Sequence, residues 1–197
     1  MKTFITILMT LTLSSVAMGQ AFRDGIEYKA QNNSFRCKYV YSSELGLHFY
    51  EFTNFNNVLK DMDPKIRGSF PPEPIIESYR KLFELLYEVY GGRAKMRAMG
   101  SESITIDFYI GMDFKTKEVR ITLSSETEGI KTTVAQVEAI EELIKERIRF
   151  TFDRDHPSLR DAIWLSAFNS FIISEIPAGL QRREYRDPRY SRRIPID

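Results

Sequence analysis

The sequence predicts an α+β fold, an antiparallel β-sheet with two to three helices packed mainly on one face. Three patterns carry that expectation. Ile104, Ile106, Phe108 and Ile110 alternate with Thr105, Asp107 and Tyr109, and Val119, Ile121 and Leu123 repeat the pattern beyond a polar turn at 113–117, which is the period of an antiparallel hairpin with one buried face. Residues 74–90 and 133–147 carry apolar side chains at spacings of three and four, the stripe of a helix that covers a sheet. Phe35, Cys37, Tyr39 and Tyr41 alternate with Arg36, Lys38 and Val40, and a second aromatic-rich run at 45–52 follows a short polar break, so a second hairpin is expected.

Taken in order, the chain opens with Lys2 and an uncharged apolar run at 4–16, then Ala17-Met18-Gly19. A basic start, an apolar stretch of about 13 residues and small residues at the cut describe an export signal, whereas a membrane-spanning helix needs about 20. Cleavage is expected between Gly19 and Gln20. Residues 20–34 read as an irregular lead-in. Asn56-Asn57 and Asp63-Pro64 mark turns, and three prolines within 71–74 stop regular structure before the first helix, expected over 74–90 and ended by Gly91-Gly92. A basic connector at 93–97 leads into the central hairpin.

Thr133 and Gln136 are spaced for a capping box at the start of the second helix, with Val134, Val137, Ile140, Leu143 and Ile144 inward and Glu138, Glu141, Glu142, Lys145 and Glu146 toward solvent. The period then shortens to two at Ile148, Phe150 and Phe152, a strand. A last helix is expected from Ser158, carrying Leu159, Ile163, Ala167, Phe168 and Phe171 and closed by Pro177 and Gly179. Residues 20–180 are thus expected as one domain, followed by an Arg-rich tail at 181–197.

The strings ITIDFYIGMDFKTKEVRITLSS and VAQVEAIEELIKERIRFTF fall in a helix, strand, strand, helix, strand order over 74–152. This order resembles the C-terminal domain of TonB-type periplasmic proteins, in which two helices pack on a small antiparallel sheet. The resemblance implies a fold. Energy transduction would also call for a retained N-terminal anchor and a Pro-rich spacer, and neither is read here.

Composition narrows function more than any motif does. The 197 residues hold 28 Lys and Arg against 27 Asp and Glu, and loss of Lys2 with the leader makes the balance even, which disfavours a coat for nucleic acid or an anionic membrane. With 43% hydrophobic residues a substantial core is expected, and no second apolar run approaches spanning length. Cys37 is the only cysteine, so no intramolecular disulfide is available, nor a cysteine at the cut for lipid attachment.

Four sets of residues carry groups capable of chemistry. Cys37 and His48 would lie on adjacent strands, as a thiolate and its base require, but Cys37 is in phase with Phe35 and Tyr39 and reads as a core side chain. Asp153, Asp155 and His156 bunch like metal ligands, yet no second spaced His or Cys completes a site, and a turn capped by Asp155 or Ser158 explains them. Glu141 with Glu142, and Glu126 with Glu128, read as solvated carboxylates. No Gly-rich phosphate loop or nucleophile elbow occurs. The aromatics of 39–55 and of the first helix read as core, or else as the lining of a cleft between sheet and helix.

The functional expectation is therefore an exported, periplasmic or secreted, non-enzymatic binding protein of a bacterial cell envelope, with no catalytic residue, cofactor or metal assigned. Its partner would be another envelope protein, captured by a free sheet edge or by Arg182, Arg183, Tyr185, Arg186, Arg189 and Tyr190 of the tail. The second expectation is a small-ligand protein using the aromatic cleft, and the third a hydrolase.

Overall fold

The computed structural model describes residues 22–67 and 71–180 with their side chains, and 184–186 and 193–195 by backbone alone. The strands are β1 (Glu27–Lys29), β2 (Ser34–Ser42), β3 (Leu47–Asn54), β4 (Ile75–Ile76), β5 (Ser103–Gly111), β6 (Thr116–Ser125), β7 (Phe150–Thr151), β8 (Trp164–Ile172), β9 (Glu184–Arg186) and β10 (Arg193–Pro195). The helices are α1 (Tyr79–Tyr90), α2 (Arg93–Ala98), α3 (Val134–Arg147) and α4 (Ile176–Gly179). Six strands form one sheet in the order β1-β2-β3-β6-β5-β8, every neighbouring pair antiparallel. The fold is α+β, as the alternation required.

Register explains why one face is buried. Tyr39, Tyr50, Leu123, Ile104 and Phe171 line up across five strands, as do Cys37, Phe52, Ile121, Ile106 and Asn169 in the next row on the same face. Leu82, Phe83 and Leu86 of α1 and Val137, Ile140 and Ile144 of α3 close over these rows. The opposite face carries Lys38, Glu51, Thr122, Thr105 and Ser170 in one row and Arg36, Thr53, Arg120, Asp107 and Phe168 in another. It is a mainly polar face that α1 and α3 leave uncovered.

Both expected hairpins and the α3 capping box are present. Thr133 Oγ1 accepts from the Gln136 amide at 3.2 Å while Gln136 Oε1 accepts from the Thr133 amide at 2.9 Å. The first helix starts later than its apolar stripe: Ser78 caps it by accepting from Lys81 N–H at 3.3 Å, and Ile75 and Ile76 pair with Thr151 and Phe150 instead. Two adjacent β-branched residues favour that ladder over a helical turn. Gly91 ends α1 at φ 74°, a conformation that other residues adopt at a cost. The basic connector is helical, because Arg, Ala, Lys and Met are all good helix formers and Met96 is fully buried.

Three further expectations are corrected. The lead-in expected at 20–34 is not simply irregular over its described residues, 22–34, since Phe22 is buried edge-on to Phe52 at 4.9 Å between ring centroids and β1 pairs with β2. The helix expected from Ser158 is instead a short 3-10 turn followed by β8, in which Leu165, Ala167, Asn169 and Phe171 are buried and the residues between them exposed. A polar residue in the inward set concealed the two-residue period; Asn169 is tolerated there because Tyr79 OH donates to its Oδ1 at 2.9 Å. Glu138 and Glu141 of α3 face inward rather than to solvent.

These two carboxylates belong to a group that pins loops to the scaffold. Glu138 accepts from the backbone N–H groups of Gln31, Asn32 and Asn33 at 2.9, 2.8 and 2.6 Å, tying the β1–β2 turn to α3. Burial alone would raise its pKa, but these hydrogen bonds outweigh that and hold the Glu138 carboxyl below its ordinary value. Glu118 accepts from Val58 and Leu59 N–H at 2.8 and 2.9 Å, and Glu102 from Lys131 N–H at 2.8 Å. Glu141 accepts from Asn54 Nδ2 at 3.0 Å and from Lys145 Nζ at 2.5 Å.

Candidate functional site

The structure separates Cys37 from His48. Cys37 pairs with Phe52, whereas His48 pairs with Tyr41, four residues further along β2 and so about 13 Å away along the strand. His48 Nδ1 instead meets Tyr39 OH at 2.9 Å. Cys37 is fully buried, and desolvation, with Asp24 and Glu51 adding to it, pushes its thiol up to about 12. A thiol held protonated and away from a base is not a nucleophile.

The Asp153, Asp155 and His156 cluster is a turn. Asp153 Oδ1 accepts from Asp155 N–H at 3.2 Å, and His156, not Asp155 or Ser158, caps the following 3-10 turn by accepting from Ser158 N–H at 3.3 Å. Glu126 and Glu128 are exposed on a loop, and Glu141 is consumed by Asn54 and Lys145. Among the described residues no group of three His, Cys, Asp or Glu side chains is arranged to hold a metal ion.

The aromatics between sheet and helix fill their own space. Tyr79, Phe83 and Tyr90 of α1 are buried with Tyr50 and Phe52, and Phe83 packs edge-on against Phe171 at 5.2 Å. Tyr90 OH meets Thr132 Oγ1 at 3.0 Å, and Tyr50 OH accepts from Gly129 N–H at 2.6 Å, so their polar ends are also engaged.

Exposed apolar side chains are spread over the surface, Val58, Ile75 and Phe168 among them, and one group of them meets at a corner of the sheet. The row Tyr41, His48 and Ser125 is the last on the helix-facing side, and Tyr41 remains 53% exposed. Its ring lies 4.7 Å from that of His48, which also stacks near Tyr39 at 6.0 Å. Val40 is exposed on the opposite face of the same strand, across from Phe49, and Leu45 in the β2–β3 turn is 65% exposed. Apolar surface therefore wraps both faces of one hairpin end.

The outer edge of β2 is open at that end. β1 pairs only with Ser34, Phe35 and Arg36, after which Gly25 N–H donates to Cys37 O at 2.8 Å, Cys37 N–H to Ile26 O at 3.1 Å, and Tyr39 N–H to Asp24 Oδ1 at 3.0 Å. Beyond Tyr39 no backbone partner on that side occurs among the described residues, so residues 40–42 offer a short template for strand addition. At the other edge, Pro71, Pro72 and Pro74 line a cleft with Leu165, Ser166 and Ala167 of β8, residues ill suited to strand pairing.

Comparison with solved structures finds a likeness in overall fold. A DUF5043 family protein from Bacteroides uniformis superposes with a TM-score of 0.56 at 15% identity, covering 75% of this chain and 85% of that one. At that identity the likeness concerns the fold alone. No protein-family model and no curated protein matches the chain.

The tail residues Arg182, Arg183, Arg189 and Tyr190 lie outside the described residues, as do Gly19 and Gln20. Tyr185 and Arg186 fall in β9, which pairs with β10, order that the Arg-rich composition did not suggest. The β2–β3 corner escaped sequence reading for a simple reason. Tyr39 and Tyr41 are in phase with the core, and only the reach of the helices decides that the last of them is uncovered.

Proposed function

We propose that this chain is an exported binding protein of the bacterial cell envelope, and that it captures a protein partner at the outer end of the β2–β3 hairpin. The partner adds an extended segment along residues 40–42, while Tyr41, Val40 and Leu45 supply the apolar contact that so short a ladder lacks. The observation that carries this reading is the coincidence of the open β2 edge with exposed Tyr41, Val40 and Leu45. Export is supported by the basic start, apolar run and small residues of 1–19. Among the described residues, no helix is long and apolar enough to cross a membrane. The Arg-rich tail is a second contact in this proposal.

A photo-reactive residue placed at position 41 in the intact chain tests it. The expected result is a discrete cross-linked species that disappears when Val40→Glu and Leu45→Glu are added, and persists when 181–197 are removed. Adducts that ignore the two substitutions refute the corner, and adducts lost only with the tail move the site there.

A further inference from the structure

The polar face of the sheet holds a second feature, independent of the hairpin corner. A cleft of about 290 Å³ is lined by Arg36, Lys38, Glu51, Thr53, Phe55, Asn57, Lys60 and Asp61, among others. Its floor is β2 and β3, and its wall is the loop that leaves β3 at Phe55. That wall is fixed by two buried side chains, since Asn57 Nδ2 donates to Val119 O at 2.7 Å and Glu118 grips the N–H groups of Val58 and Leu59. The cleft is built rather than an accident of a loose loop.

Its charges are unevenly matched. Arg120 is shared between Asp107 at 3.0 Å and Glu51 at 3.6 Å, which occupies Glu51. Arg36, Lys38 and Lys60 line the cleft with no ion pair within 4.0 Å among the described residues, and the Arg36 guanidinium lies over the Phe55 ring, its central carbon 4.9 Å from the ring centroid. Three cations converge on a small space with only Asp61 as an uncommitted acid.

We propose that this cleft binds a small monoanionic polyol, a sugar acid of the uronate type. The carboxylate lies on Arg36 and Lys60, the arginine offering two parallel N–H donors, and the hydroxyl groups donate to Asp61 and Glu51. The two acids disfavour a bare dianion, which would meet their charge at close range, while a neutral sugar leaves the cations unused. The volume sits at the lower bound for small-molecule clefts and suits one ring.

Titration of the intact protein with glucuronate, glucose and inorganic phosphate, read by backbone amide NMR shifts, decides the matter. Glucuronate should shift amides at 36, 53, 55 and 60 saturably, with affinity falling as salt is raised, and Arg36→Gln with Lys60→Gln should weaken it about tenfold while the melting temperature falls by no more than a few degrees, the loss expected from the Arg36–Phe55 contact. No saturable shift with glucuronate, equal shifts with glucose or phosphate, or an unweakened double variant would each overturn the proposal.

Discussion

Glu138 concentrates the energetics of a whole turn in one carboxylate. Three backbone N–H groups and the Asn33 side chain converge on it, and replacement by Ala leaves those donors to be satisfied by water in a part-buried place, at a cost of about 2 kcal/mol. Because its folded-state pKa is depressed, its stabilisation is fully present above the unfolded value near 4.5 and is lost as pH falls through the lower folded value. Chemical denaturation at pH 7 and at pH 3 should therefore give a larger gap between wild type and Glu138→Gln at pH 7; an equal gap at both would contradict the assignment. Cys37 makes the opposite kind of prediction. With its thiol buried and its pKa up to about 12, a thiol reagent should label it no faster than the protein unfolds, and rapid labelling of folded protein would reverse the reading of Cys37 as core. Neither inward-facing Glu was legible from sequence, since helix periodicity assigns a charged residue to solvent unless the donors awaiting it are known, for Glu138 on a turn 105–107 residues away and for Glu141 on Asn54, 87 residues away.

At the scale of elements, legibility followed the purity of the pattern. The β5–β6 hairpin alternates through Ile104, Ile106 and Phe108, and its two strands and buried face were readable, whereas the irregularity between Tyr109 and Ile110, where consecutive residues are buried, was not. β8 was not, because Asn169 occupies an inward position and Leu159, Ile163, Ala167 and Phe171 imitate helical spacing. Tyr79→Phe, which removes the donor to Asn169 Oδ1, should lower stability by about 1 kcal/mol in denaturant titration, and a neutral effect would mean the hydrogen bond does not compensate for burying Asn169. The loop wall next to β3 makes a local prediction. Glu118→Ala should speed hydrogen exchange at Val58 and Leu59 while amides of β5 stay protected, and unchanged exchange there would show that Glu118 does not hold the loop.

For the whole molecule, the division of labour between two sheet faces sets what function is open to it. Helices α1 and α3 seal one face, the other is a polar surface with a cation-lined cleft, and the sheet ends in an apolar hairpin corner beside an open strand edge. Binding at the hairpin corner is the reading proposed for the molecule, and the feature that singles out that corner, position in the sheet, is one that sequence could not supply. Export makes a separate prediction: N-terminal sequencing of the protein from an envelope fraction should begin at Gln20, and an intact Met1 would remove that part of the proposal. The most direct measurement of the central claim is cross-linking from position 41 in living cells, compared with the same probe at Glu142 on the exposed side of α3. A discrete adduct at 41, absent at 142 and abolished by Val40→Glu with Leu45→Glu, is the expected result; equal adducts at both positions, or none at 41, would contradict it.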